Sequence, residues 1–300
     1  MKDIILESPI YYSGSKLKNI RKGIINLFPN YIDTFIEMFC SSTIVSLNTQ
    51  ANRYILNDIN KQLIDLIIMF KNNNIEDIIN FFGYIRREIG FQDEFENVSF
   101  DSRSKNYNKQ IAEIHRKHYN ILRNRYNQTK DIRLLYLLII YSFSHQMRFN
   151  SNNEFNMPVG HDKFTSKIND KIINYNKFIK GNKVIVTNKD FRDIKIKNMN
   201  KNDFLYIDPP YLITTAVYNE SGGWTEKDEF DLYSLLEKLN NKGIKWGLSN
   251  VIEHKGKSNN ILKNFIKNYN FVDNNIVRSS LGRGNANSRE IYVCNYEIKK

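Results

Sequence analysis

Phe204-Leu205-Tyr206-Ile207-Asp208-Pro209-Pro210-Tyr211 is the stretch on which the fold of this 300-residue chain turns. Four consecutive apolar residues read as a buried strand, and an acid followed by two prolines ends it. The chain holds only five prolines, so two in succession after a strand mark a rigid turn that an acid and an aromatic flank. Working outward, Val184-Ile185-Val186 precedes this strand as another. Thr225 is placed to cap a helix over 226–239, with Phe230, Leu232, Leu235, Leu236 and Leu239 on one side. Gly243 ends that helix, Ile244 to Leu248 is the next strand, and Ile291 to Val293 the last. Towards the N-terminus, Tyr31 to Phe39 and Arg53 to Leu56 read as strands, and Lys61 to Lys71 as a helix with Leu63, Ile64, Ile67 and Ile68 at helical spacing. Strand, turn and helix in this rhythm predict an α/β sheet. From about 71 to 175 the pattern changes. It is basic and helical first, then loop-rich from His145 to Lys163, as an insertion into the α/β core would be.

Composition sets the class. Apolar residues make up 41% and charged residues 25%, as in a globular chain in water. No apolar run approaches the roughly 18 residues a membrane span needs, the N-terminus has no signal-peptide pattern, and two cysteines are too few for a disulfide framework. A cytoplasmic location and no membrane partner are expected. The formal net charge is +12, which suits a polyanion. Between Asp101 and Lys130 stand eight Lys/Arg, including Lys105, Arg116, Arg123 and Arg125, against two acids, with Tyr107, Tyr119 and Tyr126 interleaved. Bases with aromatics suit a surface that tracks phosphates; a solvated helix face has the same pattern.

The chemistry of the Asp208-Pro209-Pro210-Tyr211 turn is specific. The lone pair of an exocyclic amine on adenine is delocalised into the ring. Two acceptors aimed at its N–H bonds favour a tetrahedral nitrogen and localise that pair. The Asp208 carboxylate and the Pro209 carbonyl can supply them, and the prolines preorganise the carbonyl. Tyr211 offers a face on which a base taken out of the duplex could stack. The five histidines form no metal-ligand spacing, and no metal is expected.

With these residues the chain resembles the N6-adenine DNA methyltransferases of the DNA adenine methylase family, of the phage-like kind, over most of its length and in the order of its motifs. The resemblance implies a Rossmann-like methyltransferase sheet with helices on both faces (residues 1–70 and 176–300) and an inserted, mainly helical target-recognition domain (71–175). It implies S-adenosylmethionine as cofactor, double-stranded DNA as partner, a cognate restriction endonuclease as a further candidate partner, and a monomer in solution. Tyr11-Tyr12-Ser13-Gly14-Ser15-Lys16 resembles the family's N-terminal cofactor segment, which implies Tyr12, Gly14 and Lys16 near the methionine part. Phe35 to Cys40 resembles the strand that opens a cofactor loop, with Glu37 and Phe39 beside the cofactor. Leu56-Asn57-Asp58 resembles the next strand end, with Asp58 accepting from the ribose hydroxyls; a helix N-cap is the plainer role for Asp58. Lys189-Asp190-Phe191 resembles the segment that holds the cofactor's adenine, Asp190 taking the amino group and Phe191 packing on the ring. The resemblance also implies Asp208 beside the cofactor.

Within the insertion, Arg148-Phe149-Asn150 and Glu154 to Gly160 resemble the family's DNA-facing stretch. Arg148 is the candidate for a base-edge contact, Asn150 joins it, and Pro158 shapes the loop. Ser144-His145-Gln146-Met147 lacks the asparagine–glycine common where GATC is the target. Ser249-Asn250 is expected to close the adenine pocket, and the stretches 218–224 and 278–289 are expected to be loops that order on DNA. The chain departs from the family at Ser41-Ser42-Thr43, where two or three glycines are usual. Ordinary backbone dihedrals, weak cofactor binding or a decayed, DNA-binding module are the open alternatives. N4-cytosine enzymes usually carry serine at the place of Asp208, and RNA or protein-glutamine enzymes asparagine.

Overall fold

The computed structural model describes residues 4–91, 105–214, 223–273 and 288–298, with side chains except in 105–111. The chain divides into two compact units, Met1–Leu6 with Lys16–Lys61 and Asn182–Lys300, and Glu7–Ser15 with Gln62–Gly181. The expected helix at 61–71 and the segment 7–15 thus cluster with the second unit, where the sequence reading has them in the sheet-bearing part.

The first unit is built on strands β1 (Thr34–Glu37), β2 (Arg53–Asn57), β3 (Lys183–Thr187), β4 (Phe204–Ile207), β5 (Lys245–His254), β6 (Lys257–Ser258), β7 (Asn270–Asp273) and β8 (Ser288–Cys294). They form one sheet in the order β3-β2-β1-β4-β5-β8-β7, with β6 paired to β5. Strands β1 to β5 run parallel, and β8 lies antiparallel between β5 and β7. The register sets Ile36 between Ile55 and Leu205, and Leu205 beside Trp246. This is the Rossmann-like sheet that the sequence predicts. Its order reverses between β1 and β4, the switch point at whose carboxyl ends open α/β sheets bind ligands.

Alternation along the strands creates two apolar faces. Ile36, Leu205, Trp246, Leu248, Ile291 and Val293 cluster with Leu232, Leu236 and Leu239 of a later helix and Leu262 of another. On the other face Phe28 packs on Phe35, Phe204, Tyr206 and Tyr292, just after the first helix of the chain and a short 3-10 turn at Ile24–Leu27. Gly247 makes room there, because a Cβ on it would lie 2.0 Å from the Tyr292 hydroxyl. That hydroxyl is tied to Tyr296 Oη at 2.5 Å, and Tyr292 is fully buried. Gly247→Ala must therefore displace a bonded ring, and a loss of about 1–3 kcal/mol is expected from overpacking. Urea unfolding checks this; an unchanged midpoint would show that the ring can move freely.

The helices, in chain order, are α1 (Leu17–Arg21), α2 (Ile44–Leu47), α3 (Lys61–Asn72), α4 (Ile75–Ile89), α5 (Lys105–Thr129), α6 (Ile132–Tyr141), α7 (Ser166–Gly181), α8 (Glu226–Asn241) and α9 (Asn260–Phe265). Thr225 caps α8 as expected, in a reciprocal box with Asp228. Strand β5 continues to His254, six residues beyond the Leu248 end read from the sequence, so Ser249 and Asn250 are mid-strand. Polar residues in the buried middle of a strand break the apolar run without breaking the ladder. Strand β7 escapes the sequence reading because only Phe271 and Val272 in it are apolar.

The second unit is mainly helical, as expected, with α6 buried from Leu134 to Tyr141. Along α5, His115, Tyr119, Leu122 and Tyr126 are buried at helical spacing. Tyr119 and Tyr126 thus belong to the core and not to a phosphate-tracking surface. Periodicity at 3.6 residues, read over the whole helix, carries that information; counting bases and aromatics together does not.

Candidate active site

Glu37 and Asp208 stand at the carboxyl ends of β1 and β4, on either side of the switch point. Asp208 is held from several directions. Lys16, at the start of α1 and 3% exposed, places its ammonium 2.6 Å from Asp208 Oδ2 and 3.2 Å from Glu290 Oε1. The same ammonium donates to Tyr211 Oη at 2.6 Å, and the Tyr211 hydroxyl donates to Asp208 Oδ1 at 2.8 Å. Asn19 Nδ2 donates to Glu290 Oε1 at 3.1 Å. Burial raises the Asp208 pKa, Lys16 opposes the rise, and Glu290 adds to it. A carboxylate has about four lone-pair sites, so Asp208, with 15% of its side chain exposed, keeps acceptor capacity beyond these two partners. Pro209 is buried and Pro210 half-buried, as a rigid turn requires.

Tyr211 differs from its expected role. It is 7% exposed, its hydroxyl is engaged by Asp208 and Lys16, and the Lys16 ammonium lies 5.2 Å from its ring centroid. It braces the carboxylate here rather than offering an open stacking face. Glu290 and Asn19 belong to the site and were missed. No local pattern marks either residue; sheet order brings β8 to β5 and so Glu290 to Lys16.

Next to this cluster runs the glycine-free loop. Ser41 has φ +47° and Thr43 φ +57°. The loop therefore adopts the left-handed backbone that glycine normally supplies, and the alternative of ordinary dihedrals falls. That backbone costs a non-glycine residue about 1–2 kcal/mol, and local hydrogen bonds hold it. Thr43 N–H donates to Cys40 O at 2.5 Å, Thr43 Oγ1 donates to Ser42 O at 2.7 Å, and Ser41 N–H donates to Asp58 Oδ2 at 3.1 Å. Asp58, at the end of β2 and 7% exposed, also accepts from Asn60 N–H at 3.0 Å. It thus joins the loop to the turn after β2. Burial raises the pKa of Asp58, and these amides oppose the rise.

Glu37 accepts from Ser46 N–H at 3.1 Å and from the Ser46 hydroxyl, which ties β1 to α2. Burial pushes its carboxyl up to about 8. A folded pKa above the unfolded value near 4.5 means a contribution that is whole below that value and lost as pH rises through the folded one. Glu37→Gln, which does not titrate, is expected to gain on wild type from pH 5 to 8 by about 1.4 kcal/mol per pH unit. Urea unfolding at both pH values tests it; a pH-independent difference would contradict a protonated Glu37.

Beyond β3, Phe191 is buried against Phe39 and Trp224, with ring centroids 5.7 and 5.6 Å away. Asp190 caps the following turn through Arg192 N–H at 2.8 Å and pairs with Arg192. Ser249 bonds Tyr206 at 2.8 Å, and buried Asn250 lies 3.5 Å from Tyr233 Oη; both support the sheet from inside.

The expected residues Tyr12 and Gly14 belong to the second unit, Gly14 with φ +86°. In that unit Arg148 donates to Asn156 Oδ1 and O at 2.9 and 3.0 Å. Asn150 accepts from Asn152 and Glu154 N–H at 3.0 and 2.9 Å. Both brace the turn they sit on. Arg125 is bound by Glu88, both contacts at 2.9 Å. Pro158 is exposed and its carbonyl accepts from Phe143 at 2.9 Å. Arg116 is exposed and Arg123 half-buried. The Lys105 side chain, most of 218–224 and 278–287 lie outside the described residues. Arg289 pairs with Asp273 at 2.6 Å. No described helix is long and apolar enough to cross a membrane.

The family profile described as D12 class N6 adenine-specific DNA methyltransferase matches residues 12–279. The chain is 32% identical over 299 residues to the type II methyltransferase M.FokI of Planomicrobium okeanokoites, covering 97% of this chain and 43% of that protein. It is 33% identical over 311 residues to the modification methylase StsI of Streptococcus sanguinis, covering 98% and 43%. To the modification methylase LlaI of Lactococcus lactis it is 28% identical over 296 residues, covering 97% and 43%. The chain thus spans less than half the length of these relatives.

Proposed function

The chain belongs to the D12 class N6 adenine-specific DNA methyltransferase family, and we propose that it transfers a methyl group from S-adenosylmethionine to N6 of an adenine turned out of duplex DNA at a specific site. The observation that carries this is the held carboxylate at the switch point, Asp208 on a proline-stiffened turn between Lys16 and Tyr211. Its remaining lone pairs and the Pro209 carbonyl accept from the two N6–H bonds and so localise the nitrogen lone pair. Lys16 and Tyr211 fix the carboxylate so that little reorganisation is needed when the amine arrives.

The residues present fit the cofactor. Asp58 at the end of β2 is a carboxylate suited to ribose hydroxyls, Phe39, Phe191 and Trp224 form an aromatic wall suited to a purine, and the left-handed Ser41–Thr43 loop lets backbone approach closely. Glu37, Asp190 and Lys16 complete the set proposed in this unit, and Tyr12 and Gly14 are cofactor candidates through the family resemblance alone. When bound, the cofactor supplies the electrophilic methyl and its own leaving group. Ser41 and Thr43 keep a strained backbone, which favours a working site over a decayed one. Asp208 favours adenine over N4 of cytosine.

The second unit is proposed to bind the duplex, with a cytoplasmic monomer and a cognate restriction endonuclease as the cellular setting. Tritium transfer from labelled S-adenosylmethionine to unmethylated genomic DNA, followed by sequencing for N6-methyladenine, tests the proposal. Label in one recurring adenine context is expected; label on cytosine or no label from folded, DNA-bound protein would overturn it.

A further inference from the structure

Arg148 and Asn150 engage residues of their own turn, yet the helix beside it leaves amide side chains unengaged. Helix α5 is 25 residues long, about 37 Å at 1.5 Å per residue. Opposite its buried face of His115, Tyr119, Leu122 and Tyr126, the residues Ile114, Lys117, Ile121, Asn124 and Gln128 recur at alternating intervals of three and four and so share one stripe. Ile114 and Ile121 are 42% and 44% exposed, and Lys117, Asn124 and Gln128 are exposed. The side chains of Asn124 and Gln128 make no hydrogen bond among the described residues. They line an open hollow of about 460 Å³ whose other walls include Arg123, Asn150 and Glu154. The far wall is fixed to the helix. Asn127 accepts from Phe155 N–H at 2.8 Å and donates to Phe155 O at 3.2 Å, and Lys130 donates to Asn153 O at 2.7 Å.

We infer that α5 is a major-groove reading helix, in which Asn124 and Gln128 recognise base edges and Ile121 meets a thymine methyl, flanked by Arg116, Lys117 and Arg123 on phosphates. Two physical reasons carry it. An α-helix fits the major groove, and amide side chains pair bidentately with adenine N6 and N7. Exposed isoleucines in a stripe of amides and bases are unfavourable against water but match the methyl that thymine presents in that groove. The surrounding basic charge favours a nucleic-acid duplex over a protein partner. This assignment rests on DNA being the substrate, as proposed above, and it adds α5 to the reading surface beside Arg148.

The test is base preference measured by binding to a randomised duplex library without methyl donor, so that it does not depend on catalysis. Asn124→Ala and Gln128→Ala, both surface changes to a better helix former, are expected to lose preference at one or two positions of the site. Affinity for the preferred duplex should fall about tenfold, while affinity for random duplex stays within twofold. Lys117→Ala should weaken both kinds of DNA alike and flatten the salt dependence. Unchanged preference in the amide variants, equal loss on preferred and random DNA, or no preference in the wild type would each overturn the assignment. Retained preference without methylation would instead overturn the catalytic proposal and leave this one standing.

Discussion

Asp208→Ala should lower methyl transfer by at least about 10³-fold, the scale seen when one preorganised partner of a reacting centre is removed, and leave the affinity for DNA within about twofold. The fold should survive, because Lys16 keeps Glu290 at 3.2 Å and Tyr211 at 2.6 Å. No buried charge is stranded by the change. Single-turnover methylation with saturating donor measures the chemical step, and filter binding measures the duplex affinity. Asp208→Asn is the sharper companion, since it keeps the shape and loses the charge. Near wild-type turnover in either variant would sink the assigned role of the carboxylate.

The second large effect falls on stability. Lys16→Met leaves Asp208 and Glu290 facing each other without the ammonium that now lies between them, in surroundings where Lys16 and Glu290 are 3% and 2% exposed. Removing one member of a buried ion cluster costs roughly 3–5 kcal/mol, and this is expected at pH 7.5. Without Lys16 the burial that raises the Asp208 pKa acts unopposed by its largest counterweight. A raised folded pKa means stability that is present at low pH and lost as pH rises through it. The deficit of the variant relative to wild type should therefore shrink between pH 7.5 and 5.5. Adding Asp208→Asn to Lys16→Met should restore part of the stability at pH 7.5, Glu290 still lacking its partner, and leave activity absent. A pH-independent deficit that the second change does not relieve would mean that Lys16 matters through packing of its stem and not through charge.

These outcomes bear on a site only partly legible in the chain. Phe204 to Tyr211 shows its strand, its turn and its carboxylate directly, because each depends on neighbours in sequence. Thr225 and Gly243 mark the limits of α8 for the same reason. Lys16 stands out only through the family resemblance, and its salt bridge to Asp208 spans most of the chain. Glu290 was not legible at all. Arg148 shows another limit of the sequence: nothing local foretells that its guanidinium bonds Asn156.

The Ser41-Ser42-Thr43 loop separates the two sources of information. Its composition leaves ordinary dihedrals as one open alternative, since a Cβ disfavours positive φ. Tertiary structure overrides this by taking Ser41 N–H to Asp58 on the next strand. Sequence by itself determined the α/β order of elements, the Asp208 turn and the basic, helical character of the insertion, because periodicity, proline and charge act over a few residues. Only the tertiary structure decided that Glu290 and Asn19 join Lys16, that Tyr211 braces rather than faces outward, and which side of α5 is open. Those facts depend on which distant strands and helices share a wall, and on which polar groups are already satisfied there.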